Sequence, residues 1–141
     1  MSDSPPIVLV GDVMSADVRS IGRMATVEDA IAAMREAGVS SLAVERRDAS
    51  DEYGLIVITD IAREVIAKDR AADRVNVYEI MSKPLMTVPV DMQTKYAVRL
   101  LVRFNVSRAL VVDGSRVPVG IVTLRDLVLR QGDGVLPPRH P

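Results

Sequence analysis

Thr123 and Asp126 are the pair whose types and spacing best suit chemistry in this chain. They follow an apolar stretch, residues 119–122, and the pattern after it turns helical. A helix start offers free backbone N–H groups and a partial positive charge, which suits a phosphate. A carboxylate three residues on is placed to accept the two hydroxyls of a ribose. Gly120 would let a ligand approach the strand closely, and Arg125 would reach a phosphate oxygen as a charged donor. The same spacing has a purely structural reading. Thr-x-x-Asp is nearly a capping box, and Thr26-Val-Glu-Asp29 has the same form with no ligand assigned to it.

The elements that would position these residues occur twice. Met14-Ser15 returns as Met81-Ser82, and Val39-Ser40 as Val106-Ser107, both 67 residues on. At that offset Ala30 meets Ala97, Met34 meets Leu101 and Val44 meets Val111. Beyond this the register slips by three, with residues 45–53 forming the longer loop, and the patterns rejoin at Thr59 and Thr123. In each copy an extended stretch leads to an amphipathic helix, two strands and a second helix. The first copy runs through Val18 to Ile21, a helix from Thr26 to Gly38, strands at Ser41 to Glu45 and Leu55 to Ile58, and a helix from Asp60. Ile61, Val65 and Ile66 share a side of that last helix. The second copy has Leu85 to Val90, a helix Thr94 to Phe104, strands Ala109 to Val112 and Val119 to Val122, and a helix Leu124 to Gln131. Ala97, Leu100, Leu101 and Phe104 form the inner face of its first helix. Pro89 marks an edge strand, and Asn105 takes the left-handed cap position that Gly38 holds in the first copy. Residues 67–78 read as a charged connection, helical at its start. Neither β-α-β-β-α unit has enough surface to hide its own sheet, so the α/β fold predicted is two units packed sheet to sheet.

The duplication is also an internal control. In the register that joins Thr59 to Thr123, Ala62 replaces Asp126 and Ile56 replaces Gly120. Asp60 then falls two positions from the acid, too far round the helix to substitute for it. The expectation is one good site, in the second copy, and a degenerate one in the first.

Composition narrows the alternatives. A net charge of −1 argues against nucleic acid as a partner, and three Tyr, one Phe and no Trp leave no stacking platform for bases. The absence of Cys removes disulfides, thiolate nucleophiles and Cys-based metal sites. No apolar run is long enough to span a membrane, and Ile7-Val8-Leu9-Val10 lacks the basic start of a signal peptide. A cytoplasmic protein is expected. His140, the only His, lies in a Pro-rich tail and suits neither catalysis nor metal. Arg19, Arg23, Lys83, Arg103 and Arg108 would serve as a basic rim or simply as solvated surface. Asp48, Asp51 and Glu52 lack a metal-ligand spacing, and no catalytic set stands out.

The run Val106-Ser107-Arg108-Ala109-Leu110-Val111-Val112, the segment Gly120-Ile-Val-Thr-Leu-Arg-Asp126 and the two Met-Ser openings together resemble a pair of cystathionine-β-synthase-type (CBS) domains, a Bateman module. The resemblance covers Val13 to Leu129 and implies a stand-alone module with pseudo-two-fold symmetry. Its boundaries are an arm at 1–12, repeats at 13–67 and 80–131, a linker at 68–79 and a tail at 132–141. It further implies a disc-like homodimer that binds an adenine nucleotide or another adenosyl compound in the cleft between the repeats. By the family's pattern Asp126 holds the ribose and Thr123 assists at sugar or phosphate. Thr87, Val88 and Pro89, with Ser107, Arg108 and Ala109, line the base pocket. The function expected is non-catalytic regulation of an unidentified protein, with AMP favoured over ADP or ATP and no required cofactor. The alternatives are a ligand-free interaction scaffold and an S-adenosylmethionine sensor.

Overall fold

The computed structural model describes residues 7–130. In chain order the elements are α1 (Val10–Val13), β1 (Ser20–Ile21), α2 (Val27–Ala37), β2 (Ser41–Val44), β3 (Gly54–Val57) and α3 (Ile58–Ile61). A π-helical turn (Ala62–Ile66) and a 3₁₀ turn (Ala72–Arg74) follow. Then come α4 (Val77–Ile80), β4 (Thr87–Pro89), α5 (Thr94–Arg103), β5 (Arg108–Val112), β6 (Pro118–Thr123) and α6 (Leu124–Leu129).

These elements build two compact units, each with one three-stranded sheet. The contiguous unit runs from Arg19 to Leu85. The split unit joins the segment ending at Val18 to the segment beginning at Met86. In the contiguous unit β1 pairs parallel with β2, and β2 antiparallel with β3. In the split unit β4, β5 and β6 repeat that pattern. The mixed α/β, twice β-α-β-β-α reading of the sequence is thus what the chain folds into. Pro89 lies on the edge strand β4, where its missing N–H removes no central ladder bond.

Local chemistry accounts for the element ends. Thr26 caps α2 by accepting from the Asp29 N–H at 3.1 Å, while the Asp29 carboxylate accepts from the Thr26 N–H at 3.1 Å. Gly38 closes α2 in the left-handed region at φ 69°, and Asn105 adopts φ 54° just after α5. Each unit has its own core. Val27, Ala30, Met34, Leu42, Val44 and Ile56 anchor the contiguous unit, and Val88, Ala97, Leu101, Ala109, Val111 and Val122 the split one.

Three placements differ from the sequence reading. Residues 8–12 are more than an arm, because Val8 and Val10 are buried in the split unit's core. Residues 67–78 are more than a linker, because Val75 and Val77 fill the contiguous unit's core. Their start, residues 67–69, is a turn rather than a helix. Phe104 and Ile66 face outward. Phe104 is 57% exposed because α5 ends at Arg103 and the next residue leaves helical geometry.

The Met-Ser openings explain how the units are divided. Ser15 exchanges both backbone hydrogen bonds with Ile121 of β6, at 2.8 and 2.9 Å. Ser82 makes the same exchange with Leu55 of β3, at 2.8 Å each way. Each opening segment therefore completes the unit built around the other repeat's sheet.

Candidate functional site

The end of β6 and the first turn of α6 carry the Thr123–Asp126 pair. Thr123 is the last residue of β6, opposite Arg108 of β5, and also the N-cap of α6. Its Oγ1 accepts from the Asp126 N–H at 3.0 Å. The hydroxyl proton stays available to a ligand acceptor. The Leu124 N–H donates to the Ser107 carbonyl at 2.7 Å, which pins this turn to the start of β5. Unlike Asp29, the Asp126 carboxylate does not return a bond to the cap residue. Among the described residues it has no hydrogen-bond or ion-pair partner, and it is only partly covered. Arg125 beside it is exposed.

The register of the split sheet sorts the remaining sequence candidates. Thr87 sits opposite Leu110 near the start of β5, and Arg108 opposite Thr123, so Thr87, Ser107, Arg108 and Thr123 share one end of the sheet. Pro89 pairs with Val112 at the other end of β5, two residues further along. Val88 and Ala109 are completely buried in the core, so neither side chain faces a ligand. In β4 the pleat turns Val88 inward between exposed Thr87 and Pro89, whereas the central strand β5 is buried at Ala109, Leu110 and Val111 alike. Gly120 is also core. A Cβ there would collide with the Met14 sulfur and stand 2.7 Å from the Ser15 carbonyl oxygen. The glycine makes room for the chain's own Met-Ser segment and not for a ligand.

The same observation corrects the alignment of the two copies. Gly54 is the counterpart of Gly120, because a Cβ at Gly54 would meet the Met81 sulfur at 2.6 Å and the Ser82 carbonyl at 3.3 Å. Ser41 pairs with Val57 as Arg108 pairs with Thr123, so Val57 matches Thr123. Asp60 is then the counterpart of Asp126, each being the third residue of its helix. Residues 45–53 are longer than their counterpart by one residue, not three. The match of Thr59 to Thr123 was a coincidence of type, and the first copy keeps both its glycine and its acid.

What differs is how the acid is used. Asp60 is buried, accepts from the Val57 N–H at 3.3 Å and pairs with Arg63 at 2.7 Å. Asp126 makes neither bond. Sequence reasoning missed Asp60 because it relied on matching threonines. The Gly-to-acid spacing of six, shared by Gly54–Asp60 and Gly120–Asp126, was the available signal.

The other candidates have structural employment. Asp51 pairs with Lys83 and accepts from the Arg47 N–H at 2.9 Å. These bonds, the Arg47 N–H foremost and then Lys83, hold its carboxyl well below the usual carboxylate range. Asp48 is lowered chiefly by the Ser50 hydroxyl and N–H. Arg23 lies over the Tyr78 ring and Arg103 over Phe104. No cluster of potential metal ligands occurs among the described residues, and no described helix is long and apolar enough to cross a membrane. His140 lies outside the described residues.

Duplicated β-α-β-β-α units, each with an acid on the third residue of the helix after its last strand, define a tandem-repeat module. The CBS domain family model matches residues 10–67 and again 77–132, and the chain belongs to that family as a CBS domain pair. Such pairs are commonly regulatory and ligand-binding, and generally not catalytic. The chain is 31% identical over 121 residues to the uncharacterized protein MK0525 of Methanopyrus kandleri, an alignment covering 86% of this chain and 61% of that one. It spans 61%, 40% and 24% of the length of three curated relatives it matches. Among solved structures it resembles a hexameric CBS-CP12 protein from bloom-forming cyanobacteria, with a TM-score of 0.83 and 32% identity over 96% of this chain and 79% of that one. It also resembles the CBS domain of a bacterial CNNM/CorC family Mg²⁺ transporter in complex with ATP, with a TM-score of 0.73 and 28% identity over 89% and 87%.

Proposed function

We propose that this chain is a non-catalytic regulatory module that binds an adenine nucleotide at the junction of β6 and α6 in the split unit. The observation that carries the reading is the open Asp126 carboxylate beside the Thr123 hydroxyl, on a helix start that favours an anion. Asp126 accepts the ribose hydroxyls, Thr123 donates at the sugar or phosphate, and Arg125 reaches a phosphate oxygen. Thr87, Ser107 and Arg108 flank the base. The ATP complex of the CNNM/CorC relative supports the ligand class. AMP is favoured over ADP and ATP, because Arg125 and Arg108 are few cations for a longer phosphate chain. The acid in the contiguous unit is already bonded to Val57 and Arg63, so one strong site per chain is expected. The chain acts as a homodimer, and nucleotide changes its shape by preferring one dimer geometry, which a regulated protein reads. The oligomeric CBS-CP12 relative supports self-association. A second reading, an interaction scaffold, follows if the Thr123–Asp126 bond is only a cap.

A thermal-shift titration with AMP, ADP, ATP, S-adenosylmethionine and GTP, run beside Asp126→Ala, separates these readings. A ligand at a hundred times its dissociation constant stabilises the fold by about 2.7 kcal/mol, a rise of several degrees for a domain of this size. A shift with AMP that disappears in Asp126→Ala establishes the nucleotide site. A shift with S-adenosylmethionine alone changes the ligand, and no shift with any of the five leaves the scaffold.

A further inference from the structure

The contiguous unit keeps the frame on which the split unit's site is built. Ser20 sits opposite Ala43 of β2 as Thr87 sits opposite Leu110 of β5, and both are exposed. The Ile58 N–H donates to the Ser40 carbonyl at 2.9 Å, as the Leu124 N–H donates to the Ser107 carbonyl, so each turn is pinned to the start of its central strand. Ser40 and Ser107 are both exposed. Asp60 stands where Asp126 stands. Two things differ. Ser41 and Thr59 take the places of Arg108 and Arg125, the two cations of the split unit's site. The Asp60 side chain, 9% exposed, is also occupied. Its Oδ1 accepts from Arg63 Nη2 at 2.7 Å and its Oδ2 from the Val57 N–H at 3.3 Å. Arg63 itself is largely in solvent, with 63% of its side chain exposed, and its Nε also pairs with Glu64 at 3.3 Å. Its counterpart is Leu129, exposed and without a polar group to offer Asp126.

We propose that Arg63 is a latch on Asp60: it holds shut a site in the contiguous unit that, once open, takes a ribonucleoside without need of a phosphate. This rests on the reading of Asp126 as the acceptor of ribose hydroxyls. A buried carboxylate left bare costs the full desolvation of its charge. Arg63 prevents that with a charge-assisted bond whenever no ligand is present. The same contact is easy to displace, because an ion pair with one partner mostly in water is weak. Glu64 already holds the Nε of Arg63, so the guanidinium keeps a carboxylate partner after it leaves Asp60. Two ribose hydroxyls then donate to Asp60 in its place. With Ser41 and Thr59 where Arg108 and Arg125 stand in the other copy, a phosphate meets neither of those cations. AMP therefore gains little over adenosine here, unlike at Asp126.

Isothermal titration calorimetry with adenosine and with AMP tests this, with circular dichroism confirming that each variant folds. Asp126→Ala serves as the background, because it removes the split unit's acid and leaves Asp60 as the acceptor. In that background adenosine should bind only weakly. Adding Arg63→Leu, which copies Leu129, should tighten adenosine binding at least about fivefold. Arg63→Gln, which keeps a polar side chain of similar reach, should act in the same direction and stands in if the leucine variant does not fold. Adding Asp60→Ala to Arg63→Leu should abolish the gain, which a general loosening of the fold would not do. AMP should bind the opened site no more than about threefold tighter than adenosine. Folded Arg63 variants that gain no adenosine binding would overturn the latch, while AMP binding by the unaltered protein would leave the site at Asp126 standing. A large preference for AMP at the opened site would overturn the ligand class. An unaltered protein that binds no AMP would remove the reading at Asp126, and the gain or absence of adenosine binding on changing Arg63 would still decide the latch.

Discussion

The turn after β3 and the turn after β6 occupy the same place in the two repeats and use their acid differently. In the contiguous unit the aspartate is consumed by the protein, bonded to the Val57 backbone and to Arg63. In the split unit the aspartate contributes its N–H to the cap, and its carboxylate, only partly covered, has no hydrogen-bond or ion-pair partner among the described residues. The residue kept by both copies is thus a poor guide to function by itself. The informative difference lies in its neighbours. Thr123 against Val57 adds a hydroxyl, and Arg63, whose counterpart at the offset of 66 is Leu129, adds an internal partner.

The glycine pair should show the largest contrast in stability. Gly120→Ala drives a Cβ against the Ser15 backbone, which cannot move without breaking the exchange with Ile121, and should cost about 2–3 kcal/mol. Gly54→Ala meets chiefly the sulfur of Met81, a side chain that can shift, with the Ser82 carbonyl at 3.3 Å, and should cost about 1 kcal/mol. Urea unfolding of both variants checks the order. Equal costs would mean that the two Met-Ser segments are held equally firmly.

The caps come next. Thr26→Ala breaks a reciprocal box and should lower stability by about 1 kcal/mol, whether or not nucleotide is present. Thr123→Val, which copies the contiguous unit's residue onto the split one, removes a single cap bond. It should cost about 0.5–1 kcal/mol without nucleotide. Its distinguishing effect is a smaller thermal shift with AMP. Thermal melts with and without AMP separate the two effects.

The smallest contrast is the pH response of Asp51, in the loop that is longer in the first copy. Its carboxyl is depressed by folding, first by the Arg47 N–H and then by Lys83. A depressed carboxylate stabilises the folded state above its ordinary value of 3.8 and loses that contribution as pH falls through the lower folded value. Asp51→Asn should therefore be the less stable protein at pH 7, and the gap should narrow as the pH falls below about 4. Denaturation at a series of pH values measures it.

The regular parts of this fold were legible from the residues. Helical spacing at Val27, Ala30 and Met34, the Thr26 cap and the Gly38 stop specify α2 almost to the residue. Apolar runs and the Asp113-Gly114 turn specify β5 and β6. Local signals of this kind depend on neighbours within one helical turn. The register between the copies was not legible in the same way. It is set by backbone pairing across β2–β3 and β5–β6 and by the close approach at Gly54 and Gly120, contacts between residues distant in sequence. A threonine in the wrong frame was a stronger visual match than a glycine whose reason was Met81. The family resemblance placed Val88 and Ala109 in the base pocket with their neighbours, but strand alternation turns Val88 inward between exposed Thr87 and Pro89, and Ala109 lies in the core.

The exchange of Met-Ser openings also sets a timetable. During synthesis the segment from Arg19 to Leu85 emerges as a complete unit, with its own opening piece, Ser82, arriving last to pair with Leu55. The segment ending at Val18 precedes that unit, but the core it joins is completed only by residues beyond Met86. Val8, Val10 and Val13 must wait, apolar and unpaired, until Leu101, Val122 and Leu127 have left the ribosome. A fragment cut at the sequence repeat would strand both openings on the wrong pieces, whereas one cut at Arg19 and Leu85 would carry everything its core requires.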